Sequence, residues 1–256
     1  MQHFRFQMVA AGWLLAASAL APACQRASYV AKPQLAPVTA QPVGASLPDD
    51  PAVAAAIAPY RQRVTEQMAT VLGTAPVAIQ KNPGESPLAN FVADLQRARA
   101  SRETGQTVDL GVMSNGGLRA PLPAGPVTLG SVFELMPFEN ELVVLEAPGD
   151  AVQQLFDYAA RIKMAISGAT YTAGPNGKAT NIVIGGQAFD PAQDRLYTIA
   201  ISDYLAGGGD GMTFFKPIQP RSTGVLLRTA IADHIRELTA QGKPVEAKVE
   251  GRVQVN

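Results

Sequence analysis

Apolar residues recur at three- and four-residue spacing through Val53, Ile57, Tyr60, Val64, Met68 and Val71. That period predicts an amphipathic helix over residues 51–72, with Asp50 as its cap and Pro51 in its first turn. Pro59, lacking an amide hydrogen, predicts a kink within it. Residues 77–79 read as a short strand. Ser86-Pro87 opens a second helix that places Leu88, Phe91, Val92 and Leu95 on one face. Residues 110–113 read as a buried strand, 129–135 as a short helix, 141–146 as a strand, and 150–164 as a helix with Val152, Leu155, Phe156 and Ala159 inward. Residues 170–172 and 181–184 form a hairpin joined through Gly174-Pro175-Asn176-Gly177. A strand at 196–201, a helix at 223–239 stopped by Gly242, and a closing strand at 249–255 complete the pattern. The alternation predicts an α/β or α+β domain, with a mixed β-sheet and flanking helices.

The pattern breaks before residue 50. Arg5 and His3 precede an apolar run at 8–20, followed by Ala21-Pro22-Ala23, which together read as a secretory signal peptide over 1–23. The run is shorter than the roughly 20 residues a membrane span needs. Cys24 is the only cysteine, so a disulfide within the chain is excluded even though an exported chain would permit one. Its place after small residues resembles a lipobox, which makes Cys24 a candidate for lipidation and anchors the protein to a membrane surface without a span. The plainer alternative is an incidental residue beside the cleavage site. Residues 24–50, with Pro33, Pro37, Pro42 and Pro48 among Ala, Gln and Val, read as an extended tether. Residues 51–256 then form a single domain, exported and either periplasmic or held on a membrane as a lipoprotein.

Composition narrows the chemistry. Twenty-one acids balance 21 bases, which argues against nucleic acid as a partner. Beyond the signal region the only histidine is His234, so the chain cannot build a multi-histidine metal centre by itself. His234 falls beside the apolar line of Leu227, Ile231, Ile235 and Leu238 on the last helix, where a boundary histidine is expected rather than a ligand or base.

Three loops carry candidate chemistry. Ser114-Asn115-Gly116-Gly117-Leu118-Arg119 follows a buried strand; its glycines let backbone approach a ligand, and Arg119 can bind a carboxylate or phosphate. Met136-Pro137-Phe138-Glu139-Asn140 presents an aromatic on a turn before a strand. Ser202-Asp203-Tyr204, continuing to Gly207-Gly208-Gly209-Asp210-Gly211, presents an aromatic, a glycine run and a carboxylate beyond a strand end, where ligands of such folds tend to bind. Taken singly, each is a tight turn. Together they suit a flat, polar, stacked ligand such as a nucleobase with its ribose. Asp203 and Asp210 as an acid/base pair is a weaker reading than Asp203 supporting the turn and Asp210 binding ligand.

In order and spacing these loops, with Glu85-Ser86-Pro87-Leu88-Ala89-Asn90-Phe91-Val92-Ala93-Asp94 and residues 125–128, resemble the C-terminal domain of the 5'-nucleotidase family. The resemblance extends from about Ile57 to Arg252. It implies a substrate-binding domain in which Phe138 and Tyr204, the latter in place of a usual Phe, sandwich the base. It further implies that Asp210 holds the ribose hydroxyls and Arg119 helps hold the substrate. Ser114 falls where the family has a substrate-contacting Asn, with Asn115 next to it. Gly84 stands where the family has an arginine, with Lys81 nearby as a substitute cation; losing a guanidinium removes bidentate anion binding.

The resemblance also implies that hydrolysis belongs to a preceding metal-bearing domain, whose Asp-x-His, Gly-Asn-His and Gly-His-x-His runs do not occur in this sequence. No catalytic residue, metal ligand or cofactor is therefore expected in this chain, and divalent metals are expected only in a partner. One functional expectation is a substrate-binding half in nucleotide catabolism, acting with a separate metallophosphatase subunit. The alternative is a non-catalytic nucleoside or nucleotide binder, or a scaffold, of the cell envelope.

Overall fold

The computed structural model describes residues 40, 44 and 47–255 and divides the chain between Asp50 and Pro51. The expected signal peptide, Cys24 and most of the tether lie outside the described residues. From residue 51 the elements run α1 (Pro51–Met68), β1 (Val71–Ala75), α2 (Pro87–Thr104), β2 (Leu110–Val112), β3 (Gly125–Thr128), α3 (Leu129–Leu135), β4 (Glu141–Pro148) and α4 (Gly149–Ile162). They continue through β5 (Ile166–Ser167), β6 (Ala169–Ala173), β7 (Ala179–Ile184), β8 (Gln187–Ala188), β9 (Leu196–Ser202), α5 (Asp203–Ala206), β10 (Arg221–Leu226), α6 (Leu227–Ala240) and β11 (Val253–Val255).

The central sheet has the order β10-β4-β9-β2-β5. It is mixed: β2 and β9 are parallel, while the other pairs are antiparallel. A second sheet, β11-β6-β7-β8, is also mixed, and β1 pairs with β3. Side chains of a strand alternate between its two faces, and β4 shows the result. Val143 and Leu145 join one core with Val152, Leu155 and Phe156 of α4, whereas Leu142 and Val144 pack with Ala100 of α2 and Leu227 of α6. The sheet is thus covered by helices on both faces, which realises the expected α/β class.

Local chemistry fixes these elements. Ser86 caps α2 by accepting from the Ala89 amide at 3.2 Å, with Pro87 in the first turn, and Gly105 ends the helix in a left-handed conformation. Thr128 and Ser131 cap α3 reciprocally. Gly111 lets α2 approach β2 closely, since a Cβ there would lie 2.4 Å from the Ala93 carbonyl oxygen. Gln96, buried beneath the same helix, donates to the carbonyls of Val112 and Ala200 at 2.5 and 3.1 Å and so ties β2 to β9.

Several expectations are corrected. The first helix ends at Met68, because residues 71–75 form a strand that buries Leu72, Gly73 and Ala75 and pairs with β3 across an irregularity. Residues 77–79 are not a strand; Ile79 makes a single bridge to Leu122. The last helix starts at Leu227: Val225 and Leu226 continue its apolar line but belong to β10, which pairs with β4 across a bulge. The closing strand is only Val253–Val255. The apolar line of α1 is also not a core face, because α1 buries none of its residues and Val53, Ile57, Tyr60 and Val64 are exposed. No helix among the described residues is long and apolar enough to cross a membrane.

His234 lies on α6 with its ring 5.5 Å from that of Phe91. Burial, aided by Arg102 and opposed by Glu237, pushes its pKa below the ordinary 6.5. The unfolded chain therefore takes up the proton first. Stability should be complete above about 6.5 and decline as the pH falls from there toward the folded value. Thermal unfolding at pH 7.5 and 5.5 should show this decline, and His234→Phe should flatten it.

Candidate functional site

The topology brings three loops to one edge of the central sheet. Parallel β2 and β9 both end there, delivering residues 113–119 and 203–211. Leu142 of antiparallel β4 pairs with Ser202 at the end of β9, so residues 136–140, which lead into β4, arrive at the same edge. Gly116, Gly117, Arg119, Phe138, Asn140, Tyr204 and Asp210 line a cavity of about 320 Å³ there.

Phe138 and Tyr204 are 42% and 54% exposed. Large aromatics left this open on a folded domain offer stacking surface rather than core packing. The Phe138 turn is fastened from behind by Arg228 at the start of α6. Its guanidinium donates to the carbonyls of Pro137 and Phe138 at 3.2 and 3.4 Å, and it lies 4.1 Å from the Phe133 ring centroid. Tyr204 stands in α5, a single turn capped by Ser202, and the amide of Tyr204 donates to Asp203 at 2.7 Å. Its ring lies over Gly209, where a Cβ would come within 2.4 Å of a ring carbon. Only glycine fits beneath it.

Asp210 is held in a left-handed conformation, φ 51°. Its carboxylate accepts from the Ser114 hydroxyl at 2.6 Å and the Tyr204 hydroxyl at 3.1 Å, and its carbonyl accepts from Tyr158 at 3.0 Å. Backbone strain of this kind persists where surrounding contacts over-determine it. Arg119 donates to the Gly116 carbonyl at 3.3 Å and sits 5.9 Å from the Phe138 ring centroid. It makes no ion pair among the described residues, which leaves donors for an anionic or carbonyl group.

Four of the six residues singled out by sequence, Arg119, Phe138, Tyr204 and Asp210, therefore share one cavity. Ser114 and Asn115 do not line it. Ser114 is buried and spends its hydroxyl on Asp210. Asn115 donates to the carbonyls of Asn82 and Gly84 at 3.0 and 3.2 Å. Lys81 donates to the Leu118 carbonyl at 2.7 Å and so braces the Arg119 loop. Asn140, which closes the Phe138 motif, also lines the cavity although the sequence gives it no role. Arg228 and Tyr158 carry no local signal at all, because their partners lie on distant loops.

A larger cavity, about 680 Å³, opens between α2, α6 and residues 244–250. Its aromatic Phe91 is already packed on His234, and Asp94 is engaged by Arg252, so it offers less free recognition chemistry. No group of three His, Cys, Asp or Glu side chains among the described residues is placed to hold a metal.

The fold is an α/β domain in which aromatic, carboxylate and guanidinium groups converge beyond parallel strand ends, the place where folds of this kind carry small-ligand pockets. Residues 65–217 match the family model of the 5'-nucleotidase C-terminal domain, and the chain belongs to that family. It is similar in structure to a 5'-nucleotidase precursor from Thermus thermophilus, with TM-score 0.67 and 27% identity, covering 81% of this chain and 44% of that one. It is 26% identical over 185 residues to the trifunctional nucleotide phosphoesterase protein of Bacillus subtilis, covering 66% of this chain and 12% of the relative. A cell wall protein of Listeria monocytogenes is 29% identical over 183 residues, covering 66% of this chain and 23% of the relative. The chain thus spans less than half the length of each.

Proposed function

We propose that this chain is an exported nucleoside-binding domain that serves nucleotide catabolism by presenting substrate to a metallophosphatase subunit. The observation that carries the reading is the convergence of Phe138, Tyr204, Asp210 and Arg119 on a single cavity of about 320 Å³. The base stacks on Phe138 and Tyr204, Asp210 accepts from the ribose hydroxyls, and Arg119 steadies the substrate. Phosphate recognition is the weaker part of the site: Gly84 has no side chain to offer, and Lys81 does not line the cavity and spends one of its three donors on the Leu118 carbonyl. Metal chemistry is assigned to the partner, which would supply the activated water and neutralise the phosphate.

Two further observations support a partner. Ile57, Tyr60 and Val64 of α1 are exposed and lie just ahead of the family match that starts at residue 65, offering apolar surface to a second protein. The names of the Thermus and Bacillus relatives describe phosphate-ester enzymes in which this region is a minor part of the length. Export is supported by the N-terminal sequence pattern and by the relative named as a cell wall protein, and lipidation at Cys24 by the sequence pattern alone.

Calorimetry with adenosine and AMP tests the reading. Both are expected to bind the purified chain, AMP no more than about tenfold tighter than adenosine, a difference worth 1.4 kcal/mol. AMP with added divalent metal should not be turned over by the chain alone. Absence of binding at millimolar ligand would leave only a scaffold role, and turnover by a homogeneous preparation would remove the need for a partner.

A further inference from the structure

We propose that Tyr204 and Ser114 are positioning residues that hold the Asp210 carboxylate as a clamp for a vicinal diol, so that the site selects ribosides over ligands lacking the 2'- and 3'-hydroxyls. The proposal rests on the nucleoside-binding reading above and deepens it. An ionised carboxylate offers about four lone-pair directions, two on each oxygen. In this structure each oxygen of Asp210 is taken once by a protein hydroxyl, Oδ2 by Ser114 at 2.6 Å and Oδ1 by Tyr204 at 3.1 Å. One acceptor direction is left on each oxygen, and two neighbouring acceptors match two neighbouring donors, as a cis-diol presents them.

The two hydroxyls are themselves fixed. Ser114 is 4% exposed just beyond the end of β2, so its hydroxyl is shielded from bulk solvent. The Tyr204 hydroxyl also accepts from the Asp210 amide at 3.3 Å, and its ring is seated on Gly209. Gly116 brings backbone up to the same carboxylate, since a Cβ there would lie 3.0 Å from Oδ2. The Tyr158 bond to the Asp210 carbonyl fixes the backbone below. A carboxylate restrained on both oxygens loses little freedom when it accepts a diol, so more of the hydrogen-bond energy appears as affinity. Tyr204 thereby has two separable roles: its ring forms a wall of the cavity, and its hydroxyl orients Asp210.

Tyr204→Phe separates them, because it keeps the ring and removes only the hydroxyl. The test is titration calorimetry of the mature chain, Tyr204→Phe and Ser114→Ala with adenosine and with 2',3'-dideoxyadenosine. The wild type is expected to prefer adenosine. Each variant should weaken adenosine binding by roughly five- to tenfold, the scale of one ordinary hydrogen bond lost from the support of the carboxylate, while dideoxyadenosine affinity stays the same. An equal change for both ligands, no change for either, or tighter adenosine binding in Tyr204→Phe would overturn the clamp while leaving the nucleoside pocket standing. If the wild type binds neither ligand, the nucleoside reading itself fails, and the clamp with it.

Discussion

Replacing Phe138 and Tyr204 together by alanine is expected to abolish measurable nucleoside binding while leaving the fold intact. Stacking of a base on an aromatic side chain contributes about 1–3 kcal/mol per contact, so removal of each wall should lower affinity roughly 5- to 150-fold. Both side chains lie outside the packed cores, 42% and 54% exposed, so Phe138→Ala should change stability by only about 0.5 kcal/mol, while Tyr204→Ala also loses the hydroxyl bonds to Asp210, a cost of about 0.5–1.5 kcal/mol. The single variants should differ in kind. Phe138→Ala loses one stacking face and the ring beside Arg119. Tyr204→Ala loses a stacking face and also one of the two hydroxyls on Asp210, so it should be the more damaging for adenosine. Calorimetry with adenosine, paired with thermal unfolding, checks this. Unchanged affinity in the double variant would place the base elsewhere, the 680 Å³ cavity beside Phe91 being the next candidate.

The cavity was legible in sequence where its chemistry is local. A glycine-rich loop after a buried strand, an aromatic on a proline turn and a carboxylate in a glycine run each announce themselves within ten residues. Parallel pairing of β2 with β9 then puts two of them at one edge. What sequence could not show is where polar atoms go once distant segments meet. Ser114 looks like a ligand contact until Asp210, 96 residues away, takes its hydroxyl. Lys81 braces the Arg119 loop through the Leu118 carbonyl, a contact with a partner 37 residues away. Periodicity misled in the same way. The line from Val53 to Val64 has the spacing of a buried face but meets no core in this domain, and Val225 and Leu226 extend a helical pattern although their backbone pairs with β4. A hydrophobic pattern reports a face able to be buried, and the partner that buries it is tertiary information.

Arg252→Met is expected to be the most destabilising of the polar substitutions, and it explains a motif that resemblance recognised without assigning a role. Arg252 is 8% exposed and reaches both oxygens of Asp94 at 2.9 and 2.6 Å and Glu250 at 2.8 Å. Asp94 also accepts from Ser167 at 2.6 Å. One turn earlier, Asn90 donates to Glu85 at 2.8 Å and to the Lys248 carbonyl at 3.0 Å, while Glu85 accepts from the amides of Glu250 and Val253 at 2.9 and 3.3 Å. Glu85, Asn90 and Asp94 thus bind the C-terminal segment to α2 and lead β11 to its place beside β6. Removing the guanidinium leaves Asp94 and Glu250 without their cation. The expected cost is about 2–4 kcal/mol, below the 3–5 typical of fully buried pairs because the Asp94 side chain is 44% exposed. For a domain of this size that is a fall in Tm of roughly 5–15 °C. The measurement belongs near pH 7. Burial raises the Glu85 carboxyl, but its bonds from Asn90 and the backbone amides of Glu250, Val253 and Arg252 outweigh that and hold it below the ordinary 4.5. Its contribution is therefore complete above about 4.5 and is lost as the pH falls through the depressed folded value. None of the residues lining the proposed nucleoside cavity hydrogen-bonds to this cluster. At temperatures where Arg252→Met remains folded, adenosine affinity should match the wild type, and a matching loss of affinity and stability would show that the C-terminal segment shapes the pocket as well as the fold.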